Sequence, residues 1–276
     1  MTKEKLFKAK EITKTGMYKM TDEEYFAHPA QHNSGITAML KSPFYYNWRK
    51  QHPRKTTPEM MLGRLVHQAF LEPDVYANEI AITDCKKRGT KKWEAFEDAN
   101  PGKIVIKDDD ARQVDNMVDS LNSKEHIKRL FSKGIAEQAV FWFEETTGIM
   151  MKAKVDYYRE DGIVVDLKTT LSAEKHAFTK SVQKYRYDIQ DALYSEGLRA
   201  NKKLVKVFIF CCIEKHVPFE IALYRLDAPL IERGRMDYKS ILEKINECGV
   251  QKSWPGYSEK VQTIEGEKWF LDKEML

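Results

Sequence analysis

Residues 152–170 read K-A-K-V-D-Y-Y-R-E-D-G-I-V-V-D-L-K-T-T, and few folds accommodate that pattern. Lys152, Lys154 and Asp156 alternate with Ala153, Val155 and Tyr157, the period-two pattern of a strand with one buried face. Glu160-Asp161-Gly162 supplies a tight turn, in which Gly162 is free to take positive φ. Ile163, Val164 and Val165 follow as a β-branched run suited to a strand covered on both faces. The run ends abruptly in Asp166-Leu167-Lys168. Alternation sends Asp166 and Lys168 to one face and Leu167 into the core. A hairpin in register sets Asp156 beside them, so that two carboxylates and an ammonium converge at the edge of an apolar sheet. Two chemistries suit that cluster. One is a structural ion pair of Lys168 with Asp166; the other is a set of oxygen ligands for Mg²⁺, with a lysine that positions or deprotonates a water.

V-D-Y-Y…I-V-V-D-L-K-T-T resembles the core of the PD-(D/E)XK nuclease superfamily, where an acid precedes (D/E)-x-K across a hairpin. Val155 stands where that pattern carries proline. More narrowly, the chain resembles the exonuclease VIII (RecE) type of phage and prophage recombination nuclease, within the RecB-like branch. The residues that carry the likeness are G-R-L-V-H at 63–67, E-Q-A-V-F-W at 137–142, the central hairpin, and Y-R-Y-D-I-Q-D-A-L-Y at 185–194. The resemblance implies an α/β (α+β) fold with a mixed central sheet flanked by helices. It implies a single domain over 1–276, made of an N-terminal helical decoration (1–57), a nuclease core (58–250) and a tail (251–276).

The same resemblance implies a site. Asp156, Asp166 and His67 bind Mg²⁺ or Mn²⁺ in it, with the backbone carbonyl of Leu167 as a further oxygen ligand. Lys168 orients or activates the attacking water, Gln190 and Tyr194 position the nucleophile or the scissile phosphate, and Glu137 makes an outer contact to metal or water. The activity implied is processive hydrolysis of linear double-stranded DNA from 5′ ends, leaving 3′ overhangs. A ring-like homo-oligomer and a RecT-like single-strand annealing partner are implied with it. An endonuclease or Cas4-like nuclease with the same chemistry, and a non-catalytic binder of DNA ends, stand as alternatives.

The remaining residues bound these readings. Net charge is only +4, from 46 basic and 42 acidic residues, so a DNA surface has to come from local clustering. The densest basic stretch is D-C-K-K-R-G-T-K-K-W at 84–93, where Arg88, Lys91 and Lys92 either grip phosphate or simply face solvent. Tyr187, at i−3 and i−7 from Gln190 and Tyr194, shares their helix face and is a candidate DNA contact. Tyr45, Tyr46 and Trp48 could stack on bases or pack a core. Cys85, Cys211, Cys212 and Cys248 read as reduced, buried thiols, because adjacent cysteines in a strand face opposite ways; no iron–sulfur cluster is expected. No membrane-length apolar run and no signal-peptide core occur, which points to the cytoplasm.

Helices are expected at 23–26, at 35–41 behind an Asn33-Ser34 cap, and at 44–49. Others are expected at 58–71, from Asp108 unbroken to Phe131, at 173–182, at 188–199, and from Asp227 to a stop at Gly249. Glu137 is expected to open the strand before the hairpin. A second hairpin, 204–213 with 218–226, is expected to extend the sheet. Residues 1 to about 20 read as a strand or arm, and the tail as a segment that packs on the sheet or on a neighbouring subunit.

Overall fold

The structure, a computed structural model, describes residues 12–266. The expectation of an arm over 1–11 and the tail motif from Glu267 onward lie outside the described residues. In chain order the elements are β1 (Gly16–Lys19), α1 (Asp22–Ala27), α2 (Asn33–Ile36), α3 (Pro43–Gln51), α4 (Pro58–Leu71), α5 (Pro73–Glu79), β2 (Ile80–Thr83), α6 (Lys91–Asp98) and β3 (Ile104–Lys107). There follow α7 (Asp108–Ser123), α8 (Glu125–Leu130), β4 (Gly134–Phe143), β5 (Met150–Arg159), β6 (Ile163–Thr170), α9 (Lys175–Tyr185), α10 (Tyr187–Ala200), β7 (Val207–Glu214), β8 (Ile221–Tyr224) and α11 (Ala228–Gln251).

Six strands form one mixed sheet in the order β1-β4-β5-β6-β7-β8, and β2 and β3 pair as a separate parallel ribbon. Every contact in the main sheet is antiparallel except β6 with β7, which run parallel for eight residue pairs. A parallel neighbour needs a crossover, and α9 and α10 supply it. On one face the sheet packs against α2, α3, α9, α10 and α11 through Tyr158, Val164, Ile189, Leu193 and Leu242. On the other face Val165, Leu167 and Cys211 meet α4, α7 and α8 through Leu65, Val114 and Leu130. The mixed α+β fold expected from the sequence is the one observed.

Five local expectations change. The helix from Asp108 breaks at Lys124, whose ψ of 114° is extended, so α7 and α8 are separate. Asn33 lies inside α2 rather than capping it, and His32 holds the cap position without a side-chain bond. Gly249 is helical, and α11 stops at Lys252 in the left-handed conformation. Glu137 does not open its strand, since β4 begins at Gly134.

The fifth concerns Lys152, on the expected solvent side of β5. It is 1% exposed, because residues 12–32 cover that face. Its Nζ donates to the carbonyls of Tyr25 (2.5 Å) and His28 (2.6 Å) at the end of α1. At a helix end such carbonyls are under-satisfied, the Tyr25 carbonyl having only a 3.4 Å bond from His28 N–H, and a cation suits them. Burial still pushes the ammonium's pKa down to about 8. The N-terminal segment is therefore tied into the sheet by β1, by Lys152, and by backbone bonds from Gln31 to Met150 and Lys152. At the other end Trp254 packs on Tyr46, and Phe44 N–H donates to the Pro255 carbonyl (3.0 Å).

Candidate metal centre

The hairpin folds as its alternation demands, but the alternation slips at one place. Ala153, Val155 and Tyr158 share the core beneath α10, whereas Tyr157 packs with α4 and α7 on the other face. In β4, Val140 and Trp142 lie on the first face and Ala136 on the second. Both slips fall at Glu137 and Asp156, which face each other between the pairs Ala136–Tyr157 and Gln138–Val155. Glu137 takes a φ of 52° in mid-strand, a conformation that costs a non-glycine residue on the order of 1–2 kcal/mol. Strain of this kind persists where surrounding structure imposes it, and function is a common reason.

Beyond Asp156 the two central strands part. β5 and β6 pair only at Tyr157–Val165 and Tyr158–Val164. The next inward-facing amide, Leu167 N–H, donates to Asp156 Oδ2 (2.8 Å) instead of to a backbone carbonyl. A carboxylate thus stands in for the missing rung of the ladder.

Helix α4 brings His67 to this opening. Its Nδ1 lies 3.5 Å from Asp156 Oδ2 and 4.0 Å from Glu137 Oε1. One ligand atom from each of His67, Glu137 and Asp156 falls within 4.8 Å of the others. Gly63, one turn earlier, lets α4 come close to the sheet: a Cβ there would lie 3.2 Å from Thr169 Oγ1. Asp166 is set differently. Its Oδ1 accepts from Gln190 Nε2 (2.5 Å), and its Oδ2 lies 2.6 Å from Lys168 Nζ. Lys168 also donates to Gln190 Oε1 (3.0 Å) and sits 4.7 Å above the Tyr187 ring.

The electrostatics match a site short of positive charge. Burial raises the Asp156 pKa to about 7, the nearby Asp166 and Glu137 adding to it against His67 and Lys168. Burial lowers the Lys168 pKa, but Asp166, Tyr187 and Asp156 outweigh it and the pKa is raised. Lys168 is accordingly an ammonium at neutral pH. Asp166 Oδ2 is shielded from solvent with Lys168 Nζ at 2.6 Å as its neighbour, and a carboxylate oxygen has a second lone pair to offer. An imidazole and converging carboxylates form a donor set that fits a divalent cation of the Mg²⁺ or Mn²⁺ kind.

The arrangement ranks the expected residues differently from the sequence. Glu137, expected in an outer role, is grouped with His67 and Asp156, while Asp166 is held by Lys168 and Gln190. Leu167 is fully buried, and its N–H is the atom seen to engage Asp156. Tyr194 lines a cleft with Gln190 and Lys154, and burial raises its pKa well above the usual range. Tyr187 stacks on Phe210 and carries Lys168, so its ring is committed to the protein. Arg88, Lys91 and Lys92 lie beside the β2–β3 ribbon. Lys92 pairs with Asp84 (2.9 Å), Arg88 lies over Trp93 and 3.9 Å from Asp110, and Lys91 opens α6 exposed. Cys211 and Cys212 face opposite cores, while Cys85 packs with Trp93.

Sequence reading missed Lys154 and Asp22. Lys154 bridges Glu137 (3.0 Å) and Asp22 (2.5 Å), and Arg64 reaches Asp22 (3.2 Å). The only signal was a second lysine on the polar side of β5; the acid that pairs with it lies 132 residues upstream.

No curated protein matches the chain by sequence comparison. Among solved structures, that of a "Putative exonuclease" from Eubacterium rectale superposes with a TM-score of 0.64 at 17% identity, over 94% of this chain and 100% of the other. The structure of SSO0001 matches at a TM-score of 0.29 and 13% identity, over 72% of this chain and 84% of that one, too low to carry weight. The family model for a PDDEXK-like domain of unknown function (DUF3799) matches residues 33–267. With the opened hairpin, the Asp156 and Asp166-x-Lys168 positions and most of the chain inside that match, the protein belongs to this PDDEXK-like family.

Proposed function

We propose that the protein is a metal-dependent deoxyribonuclease, an exonuclease that hydrolyses phosphodiester bonds of linear double-stranded DNA. The observation that carries this is the opened seam, where His67, Glu137 and Asp156 converge beside the linked trio Asp166, Lys168 and Gln190. Family membership and fold support a nuclease; the resemblance to RecE-type enzymes supports 5′ ends, 3′ overhangs and a role in cytoplasmic single-strand annealing recombination.

His67, Glu137 and Asp156 would hold Mg²⁺ or Mn²⁺, with Asp166 and the Leu167 carbonyl as further oxygen donors. When bound, the ion supplies charge stabilisation for the phosphate and lowers the pKa of a coordinated water. The chain's own groups do the rest. Lys168, kept charged by Asp166, faces the opening as a fixed cation, so its part is to orient water and oppose charge on the phosphate rather than to remove a proton. Gln190 fixes both Lys168 and Asp166, which limits their rotamers. Lys154 holds Glu137 against Asp22.

The test is a nuclease assay on linear and covalently closed duplex DNA with Mg²⁺, Mn²⁺ or EDTA, comparing wild type with Lys168→Ala. Metal-dependent loss of linear DNA alone, abolished by the substitution, is the expected result, and end-labelled substrates give the polarity. Cutting of closed circles would move the assignment to an endonuclease. Binding of ends without cleavage under any metal would make the protein a scaffold. Sizing in solution and co-purification with a RecT-like protein test the oligomer and the partner.

A further inference from the structure

Between the N-terminal segment and α10 lies a cleft of about 260 Å³, with Phe26, His32 and Asn33 on one wall and Lys154, Gln190 and Tyr194 on the other. Its position follows from contacts already described: Lys154 bonds Glu137, and Gln190 bonds Asp166 and Lys168. Two residues of the cleft wall, Lys154 and Gln190, thus bond directly to carboxylates of the candidate centre. Pockets for drug-sized ligands run to ~300–1,000 Å³, so this one has room for a single nucleoside and not for a stacked pair.

Its chemistry suits a base. Phe26 is 65% exposed; its ring meets Tyr25 edge-on at 5.2 Å and otherwise turns mostly to solvent. Beside it the His32 ring meets Phe26 edge-on at 6.2 Å. Burial and the charge of Lys152 push the His32 pKa down to about 4, so the imidazole is neutral and offers one donor and one acceptor. The ring fits because residue 35 is glycine; a Cβ there would lie 2.9 Å from it. Asn33 Oδ1 is shielded and has no hydrogen-bond partner, an acceptor left for something else to satisfy. The surrounding chain is also suited to a polyanion. From Tyr25 to Pro58 there is no Asp or Glu, while Lys41, Arg49, Lys50, Arg54 and Lys55 are present.

We propose that this cleft is a nucleoside subsite for the end of a DNA strand. The terminal base leaves its stack, lies against Phe26 and presents its polar edge to His32 and Asn33, while its phosphate reaches the Asp156–Asp166 opening. The inference rests on the nuclease reading and adds to it that the end must fray before cleavage. Stacking on one aromatic ring is the interaction that compensates for the lost pair.

The experiment uses the full chain with duplexes that carry 2-aminopurine in the terminal pair of either strand, binding being read in EDTA and cleavage with Mg²⁺ or Mn²⁺. Wild type is expected to raise the fluorescence of one strand's terminal probe severalfold on binding. Phe26→Ala should lose that rise and cut paired ends about tenfold more slowly. On ends with a mismatched terminal pair the loss should shrink below threefold, a difference that a merely structural role would not produce. Phe26→Trp should restore both readouts. Phe26 is exposed, so folding is not at risk. If wild type cuts linear DNA and Phe26→Ala matches it in fluorescence and rate, the subsite falls and the nuclease reading stands. If wild type neither binds nor cuts duplex ends, both fall.

Discussion

Two seams of the same sheet behave in opposite ways. Between β4 and β5 nine residue pairs are in register, and the ladder resumes on both sides of its one irregularity at Glu137 and Asp156. Between β5 and β6 the ladder lasts two pairs and does not resume. The first seam keeps its backbone bonds and stores strain in one residue. The second surrenders its bonds and fills the gap with a carboxylate that accepts Leu167 N–H. The irregularity of one and the opening of the other meet at Asp156. A pleated sheet has no room for converging polar side chains until its ladder is interrupted, so the candidate centre lies where both seams fail.

The largest expected effect is at that meeting point. Asp156→Asn keeps an acceptor for Leu167 N–H but removes a charge, and it should lower cleavage by on the order of 10³-fold or more. The same change should raise the melting temperature of the metal-free protein. The sign follows from linkage. The folded-state pKa of Asp156, about 7, is above its unfolded value of 3.8, so the folded protein binds more protons between them and metal-free stability falls as pH rises from 4 to 7. Metal binding must displace that proton, so stabilisation by Mn²⁺ or Mg²⁺ should be larger at pH 8 than at pH 5.5. Thermal melts of both proteins, with metal and with EDTA, decide it; a variant no more stable than wild type without metal would contradict the burial argument.

Further along β5, where the polar face is roofed over rather than opened, substitution should cost stability before activity. Lys152→Met leaves the Tyr25 and His28 carbonyls without a buried donor, at ~1–3 kcal/mol each. Losing a desolvated ammonium offsets part of this, so a net loss of about 2–4 kcal/mol is expected by denaturant titration. At 25 °C the cleavage rate should change less than tenfold. An unchanged midpoint would mean that the N-terminal segment is not held by this lysine.

Glu137 separates strain from function more finely. Glu137→Gly relieves a left-handed conformation worth about 1–2 kcal/mol and adds ~0.5–1 kcal/mol of backbone entropy cost. Stability should therefore move by less than about 1 kcal/mol. Metal affinity, read by the metal-induced shift in melting temperature, should drop ~10–100-fold, within the range seen when a group supporting a site is lost. No change in affinity would remove Glu137 from the centre.

Much of the fold was legible because it is local: the 163–165 run and the Gly162 turn, whose φ is 92°. Asp166 and Lys168 were legible because period two fixes which side chains share a face; Asp156 was legible because the Gly162 turn brings its strand back beside theirs. What escaped was non-local. Lys152 looked like a solvent-side residue, since nothing near it in sequence announces that residues 12–32 fold over β5. The grouping of Glu137 with His67 and Asp156 was not legible, because a positive φ at a glutamate leaves no trace in composition. The break at Lys124 follows no glycine or proline, so the pattern over 108–131 read as one helix.

The smallest effect belongs to the loop at 84–93, the region least like the opened seam. Three of its cations are spoken for locally, Lys92 by Asp84, Lys86 by Asp109 and Arg88 by Trp93 and Asp110, while Lys87 and Lys91 stand exposed, Lys91 at the start of α6. Ion pairs this exposed add little to stability, so Lys91→Ala and Lys92→Ala should melt like wild type. If the loop grips phosphate, Lys91→Ala lowers the slope of log affinity against log salt by ~1 and weakens binding equally on all sequences. The Lys92 change should do less, because a DNA phosphate would have to displace Asp84. Equal, unaltered salt slopes for both variants would make this a solvated face and leave DNA contact to the N-terminal segment and its cleft.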